Sequence, residues 1–183
     1  MASLFGHIAV STAIGFTLFP KQARTITLVA AGFCAIAPDL DVLAFKYGIP
    51  YGSEWGHRGW THSLTFALVA GALIGWASGA LGRLITKDTI TYQPSSLSAW
   101  FVLSMASHPL LDMLTNGGLG CALWWPFSTD RIFFPWRPIQ VSPMSVQDFF
   151  SPWGLNVLAN EVLWIGFPCV ALVWIFKAFR KEG

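Results

Sequence analysis

The stretch His57-Arg58-Gly59-Trp60-Thr61-His62-Ser63 opens the most informative part of this sequence. Residues 59–82, which begin inside it, contain no Asp, Glu, Lys or Arg. An uncharged run of that length is sufficient for a transmembrane helix. Imidazoles and a guanidinium at the mouth of a membrane helix are energetically costly unless they bind a partner. The stretch therefore predicts a membrane span with a polar site at one end.

The composition supports a membrane protein throughout. The chain has 183 residues, and we expect residues 1–183 to form a single integral membrane domain. Hydrophobic residues make up 54% and charged residues 11%, whereas a soluble domain has about 25% charged residues. The net charge of +2 is too small to indicate a nucleic-acid partner. The three cysteines are scattered, so they predict neither a disulfide framework nor a thiolate metal site.

Apolar segments predict an all-α, polytopic transmembrane bundle of about five membrane helices. We place the helices at residues 3–19, 25–43, 60–81, 97–114 and 155–176. A long irregular segment, residues 116–154, precedes the last helix because several prolines interrupt it. The positive-inside rule then puts the cation-richer loops in the cytoplasm and the N-terminus outside.

In this arrangement the ionisable groups of the helices lie at one depth. All four histidines, and every carboxylate embedded in the predicted helices, fall at the outer ends. Random placement would distribute them over both faces of the membrane, so the pattern indicates one shared site. The members of this group are His7, Asp39, Asp41, His57, His62, His108, Asp112 and Glu161.

Imidazoles and carboxylates without a thiolate are typical of a site for zinc, manganese or iron. His108 and Asp112 are four residues apart and share a helix face. The set exceeds one tetrahedral site, so it predicts either two metal ions or one ion with outer partners. The predicted ligands are His7, Asp39, Asp41, His62, His108 and Asp112, with His57 as a seventh ligand or a general acid/base.

Each residue also has a purely structural interpretation. His7 is a hydrogen-bonded residue in that interpretation, Asp39 and Asp41 are interfacial caps, and His108 and Asp112 only bond to each other. Glu161 then pairs with Arg58 or with a backbone donor. Trp124 and Trp125 are expected to be interfacial anchors. Clustering favours a functional site, because ionisable groups within membranes are rare.

Several sequence blocks together resemble the YdjM-like family of bacterial inner-membrane proteins. The blocks are Gly6-His7, Pro38-Asp39-Leu40-Asp41, His57 to Ser63, and Ser107 to Thr115, followed by Trp125-Pro126. They occur in the family order from the first helix to about Phe127, and Trp60 stands where the family often has Phe. The carboxyl-terminal third, which includes Glu161, matches only loosely. The resemblance implies metal-dependent hydrolysis at the bacterial inner membrane.

We therefore expect a membrane hydrolase with one or two divalent metal ions, zinc before manganese or iron. Its expected substrate is a phosphoester, or another ester, of a lipid or lipid-linked molecule at the extracytoplasmic face of the inner membrane. The predicted catalytic residues are His57, Arg58 and Glu161, with Arg58 neutralising charge that develops on a phosphoryl or acyl oxygen.

Two other functions remain open at this point. One is a metal-ion-binding or transport protein, which should place polar groups along the whole membrane depth. The other is a structural or regulatory membrane protein with inert histidines. The sequence specifies neither the substrate nor the oligomeric state.

Overall fold

A computed structural model, which describes residues 1–181, confirms the all-α fold. These residues include two 3₁₀ segments, Ala37–Tyr47 and Trp60–His62, and a π segment, Val162–Gly166. The described part of the chain has isolated β-bridges but no β-strand. The helices are α1 (Leu4–Leu18), α2 (Thr25–Ile36), α3 (Leu64–Thr86), α4 (Pro94–Met113), α5 (Val146–Phe149), α6 (Pro152–Glu161) and α7 (Phe167–Lys181).

Among the described residues, three helical stretches are long and apolar enough to cross a membrane. They are Thr25–Tyr47, Leu64–Thr86 and Pro152–Arg180, and Leu4–Leu18 is apolar but shorter. The fourth predicted helix, α4, lies in the centre of the bundle, where Leu97, Trp100, Phe101 and Met105 are buried. The same buried side carries Ser104, His108 and Asp112, which lower the hydropathy of α4. The structure is thus a helical membrane bundle around a partly polar central helix.

The helix boundaries differ from the prediction where proline and serine begin a helix. Pro94 and Pro152 occupy first-turn positions of α4 and α6. A proline is tolerated there because a backbone N–H in the first turn has no partner within the helix. These helices therefore start before residues 97 and 155, and α5 lies inside the segment predicted to be irregular. Ser63 caps α3 by accepting a hydrogen bond from Phe66 N at 3.0 Å.

A row of glycines brings α3 and α4 into backbone contact. Gly71, Gly75 and Gly79 are all buried. A Cβ atom added at Gly75 would lie only 2.5 Å from Ser98 Cα. Small residues at four-residue spacing are a known packing device of membrane helices. This interface holds α4, and with it His108 and Asp112, beside the start of α3.

Arg131 connects the irregular segment to the loop before α3 through hydrogen bonds. Its Nη1 donates to His57 O at 2.9 Å, and its Nη2 donates to Ser53 O at 2.8 Å and Tyr51 O at 3.2 Å. One side chain thereby joins the 115–145 region to the loop that precedes the 3₁₀ segment Trp60–His62. These contacts give the irregular segment a defined position over the polar site.

Candidate metal centre

Four ligand atoms from three chain segments meet at one point. They belong to Asp39, His62, His108 and Asp112, and all lie within 4.8 Å of one another. His62 Nε2 is 3.0 Å from His108 Nε2, 3.5 Å from Asp39 Oδ1 and 3.6 Å from Asp112 Oδ2. His108 Nε2 is 3.3 Å from Asp39 Oδ1. The structure thus brings together four of the residues that the sequence predicted to share a site.

The 3₁₀ segment after α2 explains why Asp39 reaches this point. Pro38 cannot supply an N–H to continue α2, and the chain tightens into Ala37–Tyr47. With three residues per turn, Asp39 and Asp41 project to neighbouring faces rather than to opposite ones. Both carboxylates therefore face the polar site, at different positions within it.

The hydrogen bonds at Nδ1 of His62 and His108 determine which ring nitrogen of each imidazole is free to bind a cation. His108 Nδ1 lies 2.7 Å from Ala35 O, a carbonyl that can only accept, so Nδ1 carries the proton. Thr61 Oγ1 donates to Asp41 Oδ2 at 2.6 Å, and its oxygen lies 3.1 Å from His62 Nδ1. In the neutral form, His62 therefore also has its proton on Nδ1. Both Nε2 lone pairs then face each other at 3.0 Å, an arrangement that requires a proton or a metal ion between them.

One oxygen of each central carboxylate makes no hydrogen bond. Asp39 Oδ1 and Asp112 Oδ2 are buried and have no hydrogen-bond partner among the described residues. Asp112 is completely buried, whereas 13% of the Asp39 side chain is exposed. Arg58 Nε lies 3.2 Å from Asp112 Oδ2, whereas Asp39 Oδ1 has no hydrogen-bond donor among the described residues. A cation at the shared point would offset the cost of burying Asp39 Oδ1 without a hydrogen bond.

The spacing of the four atoms agrees with a small divalent ion. A tetrahedral zinc site with bonds of about 2.0–2.1 Å separates its ligand atoms by roughly 3.3–3.4 Å. Four of the six separations run from 3.0 to 3.6 Å, and all six are within 4.8 Å. Two neutral imidazoles and two carboxylates are a donor set that suits zinc, manganese or iron. The residues present therefore fit the predicted metal.

Asp41 occupies an outer position instead of the centre. It accepts hydrogen bonds from His57 Nδ1 at 2.7 Å, Thr61 Oγ1 at 2.6 Å and Arg58 N at 3.2 Å. Asp41, His57 and His62 form a second group of potential ligands. Because these donors already satisfy Asp41, the geometry favours one metal ion with Asp41 as an outer partner. Outer carboxylates of this kind orient metal-ligating imidazoles.

His7 stacks on the centre without entering the group of four atoms. Its ring lies 3.8 Å from the ring of His108, centroid to centroid, and is nearly parallel to it. His7 Nε2 is 3.5 Å from Asp112 Oδ1. Both of its buried nitrogens lack hydrogen-bond partners among the described residues. His7 as a metal ligand stays a prediction.

Arg58 is completely buried and supports Asp112. Its Nε lies 3.2 Å from Asp112 Oδ2, and its terminal nitrogens donate to Thr115 Oγ1 at 3.0 Å and Leu119 O at 2.6 Å. Its φ of 63° lies in the left-handed region, which is uncommon for a residue with a side chain. The guanidinium is thus committed to protein acceptors, and its predicted role toward a substrate stays a prediction.

Glu161, the last residue of α6, lies beside the start of α1. It accepts hydrogen bonds from Ser3 N and Ser3 Oγ, both at 2.5 Å, and it is buried. Glu161 thus has a backbone partner rather than Arg58. The neighbouring Ala2 N donates to Asp112 Oδ1 at 2.7 Å, so this corner of the bundle holds Asp112 in place. A catalytic role for Glu161 stays a prediction.

The electrostatics of the site favour positive charge at its centre. Burial opposes a charged imidazole, but the nearby carboxylates of Asp112, Asp39 and Asp41 raise the pKa of His62 well above its ordinary value. Burial raises the pKa of the Cys121 thiol to about 11, as expected for a packing residue.

Two residues of the site were not singled out from the sequence. Thr61 stands in the His57 to Ser63 stretch, and it connects His62 to Asp41. Thr115 holds Arg58 Nη2 and stands in the Ser107 to Thr115 block, so its position near Asp112 was the available signal. Arg131 supports the loop from a distance, and its acceptors are all backbone carbonyls, which sequence cannot reveal.

Comparison with known proteins agrees with this architecture. The chain is 37% identical over 175 residues to inner membrane protein YbcI of Escherichia coli (strain K12), covering 94% of this chain and 95% of that protein. No solved structure matches it significantly. The family model described as YdjM inner membrane protein matches residues 1–182. With its imidazole and carboxylate blocks brought together in one bundle, the chain belongs to the YdjM inner membrane protein family.

Proposed function

We propose that this protein is a membrane-embedded, metal-dependent hydrolase. The observation that carries the proposal is the meeting of two imidazole lone pairs with two carboxylate oxygens that make no hydrogen bond. A bound divalent ion there would act as a Lewis acid and lower the pKa of a bound water to about 7. The proposed reaction is hydrolysis of a phosphoester, or another ester, of a lipid or lipid-linked substrate.

His57 is the proposed acid/base group. Its Nδ1 donates to Asp41 Oδ1 at 2.7 Å, which fixes the ring and leaves Nε2 to exchange a proton. The same Asp41 reaches His62 through Thr61, so one carboxylate holds both imidazoles. In this proposal Arg58 and Ala2 N position Asp112 from two sides.

The proposed site faces the extracytoplasmic side of the inner membrane. Arg180 donates to Phe16 O and Thr17 O at the end of α1 opposite His7. Other loop cations, at residues 21–24 and 83–87, belong to the same end of the bundle by connectivity. Positive residues gather at cytoplasmic ends of membrane proteins, which supports this orientation.

A transport function has less support from the packing. Ser11 and Ser104 lie 2.8 Å apart, one helical turn below His7 and His108, and extend the polar column inward. Trp100, which is completely buried, lies directly beneath them and packs into the space above Gly15. This indole closes the column, whereas an ion path would continue through the bundle.

Metal analysis of the purified protein tests the proposal. We expect one zinc, manganese or iron per wild-type chain, loss of that metal in Asp112→Asn and His62→Ala, and retention in Asp130→Asn. Asp130 is an exposed carboxylate and serves as the matched control. Absence of metal from the wild-type protein, even after supplementation, would reject the metal centre.

A substrate screen separates the enzyme from a binding protein. The loaded protein is incubated with phospholipids and with lipid-linked phosphates, and released products are analysed by mass spectrometry. Hydrolysis that Asp112→Asn abolishes and Asp130→Asn preserves supports the proposal. Stoichiometric metal without hydrolysis of any substrate would favour the metal-binding or transport alternative.

A further inference from the structure

An apolar groove on the lipid-facing surface lies between α1 and α2. It has a volume of about 290 Å³ and is lined by Ile8, Thr12, Leu28, Val29, Gly32, Phe33 and Ile36. From Leu28 to Ile36 it follows α2 for about 12 Å, given a rise of about 1.5 Å per residue. Val29 is 54% exposed and Phe33 is 67% exposed, so the groove is open along its side. In a bilayer that open side meets lipid chains.

One end of the groove lies beside the chain segments that carry the metal centre. Ile8 follows His7, whose ring stacks on His108. Ile36 ends α2, directly after Ala35, whose carbonyl accepts from His108 Nδ1, and three residues before Asp39. Asp39 is also the one residue of the central four whose side chain is partly exposed. The partly exposed Asp39 and the end of the groove therefore lie on the same side of the metal centre.

Gly32 has no side chain, and the space that this leaves is part of the groove. A Cβ atom at this position would have only the side chain of Ile8 nearby, at 3.6 Å, which is ordinary van der Waals contact. The absence of a side chain here is therefore not required for helix packing. A larger residue at this position would extend into the groove.

We infer that this groove holds an acyl chain of a bilayer phospholipid whose phosphate lies at the metal centre beside Asp39. The inference rests on the proposed function, since it assigns the substrate of that same site. An apolar groove that ends beside a cation centre matches the two ends of such a molecule. A phospholipid is also the amphiphile that the bilayer presents to the exposed Val29 and Phe33.

Photolabelling with a phospholipid carrying a diazirine in its acyl chain tests this inference. The wild-type protein is reconstituted in nanodiscs containing that lipid, irradiated, digested and analysed by mass spectrometry. We expect labels concentrated on residues 28–36 and on Ile8 and Thr12. Labels distributed evenly over the exposed faces of α3 and α7 would overturn the inference, and this result requires no variant.

A variant pair provides the control. Gly32→Leu should abolish the groove labels, whereas Ala77→Leu, on the exposed face of α3, should leave them unchanged. Metal content is measured in the same samples. Full metal with groove labels that persist in Gly32→Leu refutes the inference alone, and an absence of metal from every sample refutes the proposed function instead. Groove labels that a lipid-linked polyprenyl probe gives more strongly than the phospholipid would also overturn the assignment.

Discussion

Asp39 and Asp41 offer the sharpest test of the metal centre. They are two residues apart in the same 3₁₀ segment, and the change to asparagine is chemically identical at both. The structure nevertheless gives them different tasks. Asp39 Oδ1 has no hydrogen-bond donor and lies 3.3 and 3.5 Å from the two central Nε2 atoms. Asp41 accepts three hydrogen bonds from protein donors.

The expected losses of metal affinity follow from these positions. Removing an outer hydrogen-bond partner of a metal ligand lowers affinity by about 10–100-fold. Asp41→Asn should therefore raise the dissociation constant of the metal within that range, or by about 1.4–2.7 kcal/mol. Asp39→Asn removes an anionic ligand itself, and its effect should exceed this range.

Competition with a chromophoric zinc chelator measures both dissociation constants in detergent. Asp130→Asn, in an exposed segment, should bind like the wild-type protein and controls for the substitution. Helical content by circular dichroism confirms that each variant is folded. Equal losses for Asp39→Asn and Asp41→Asn, or a larger loss for Asp41→Asn, would refute the division into central ligand and outer partner.

Further predictions concern the donor atoms, the helix packing and the pH dependence. X-ray absorption of the zinc-loaded protein should show only nitrogen and oxygen donors at about 2.0–2.1 Å; a sulfur distance near 2.3 Å would implicate Cys121 and contradict the proposed set. Gly75→Leu should lower the melting temperature in detergent, because overpacking costs about 1–3 kcal/mol and a Cβ at this position already lies 2.5 Å from Ser98 Cα. Ala77→Leu on the exposed face of the same helix should melt like the wild-type protein, and equal melting of both variants would contradict the glycine interface. Metal affinity should fall as pH decreases, because the raised pKa of His62 lets a proton compete for Nε2; titration at several pH values checks this, and a constant affinity would exclude His62 as a ligand.

Much of the helical architecture was predictable because membrane helices have a strong local signal. The uncharged run at residues 59–82 predicted a span, and the structure has α3 at Leu64–Thr86. The boundaries were less predictable at Pro94 and Pro152. A proline can either begin a helix or interrupt one, and the local sequence does not distinguish the two cases. The glycine row of α3 was visible in the sequence, but only the packing shows that it faces α4.

The depth of the polar residues was also available from order along the chain. His7, Asp39, His62 and His108 each fall near the same end of a predicted helix, and connectivity alone brings those ends to one side of a membrane. The chain order therefore predicted a shared site. It did not distinguish a metal ligand from a hydrogen-bonded neighbour, because both are imidazoles and carboxylates.

That distinction depends on contacts between residues far apart in the chain. Asp41 is an outer partner because His57, Arg58 and Thr61 donate to it, and His108 presents Nε2 because Ala35 O takes its Nδ1 proton. Local hydrophobicity and helix order suffice to bring the polar groups to one level of the bilayer. The direction of each lone pair is set by a hydrogen bond from another segment, and so it becomes known only when those segments are packed together.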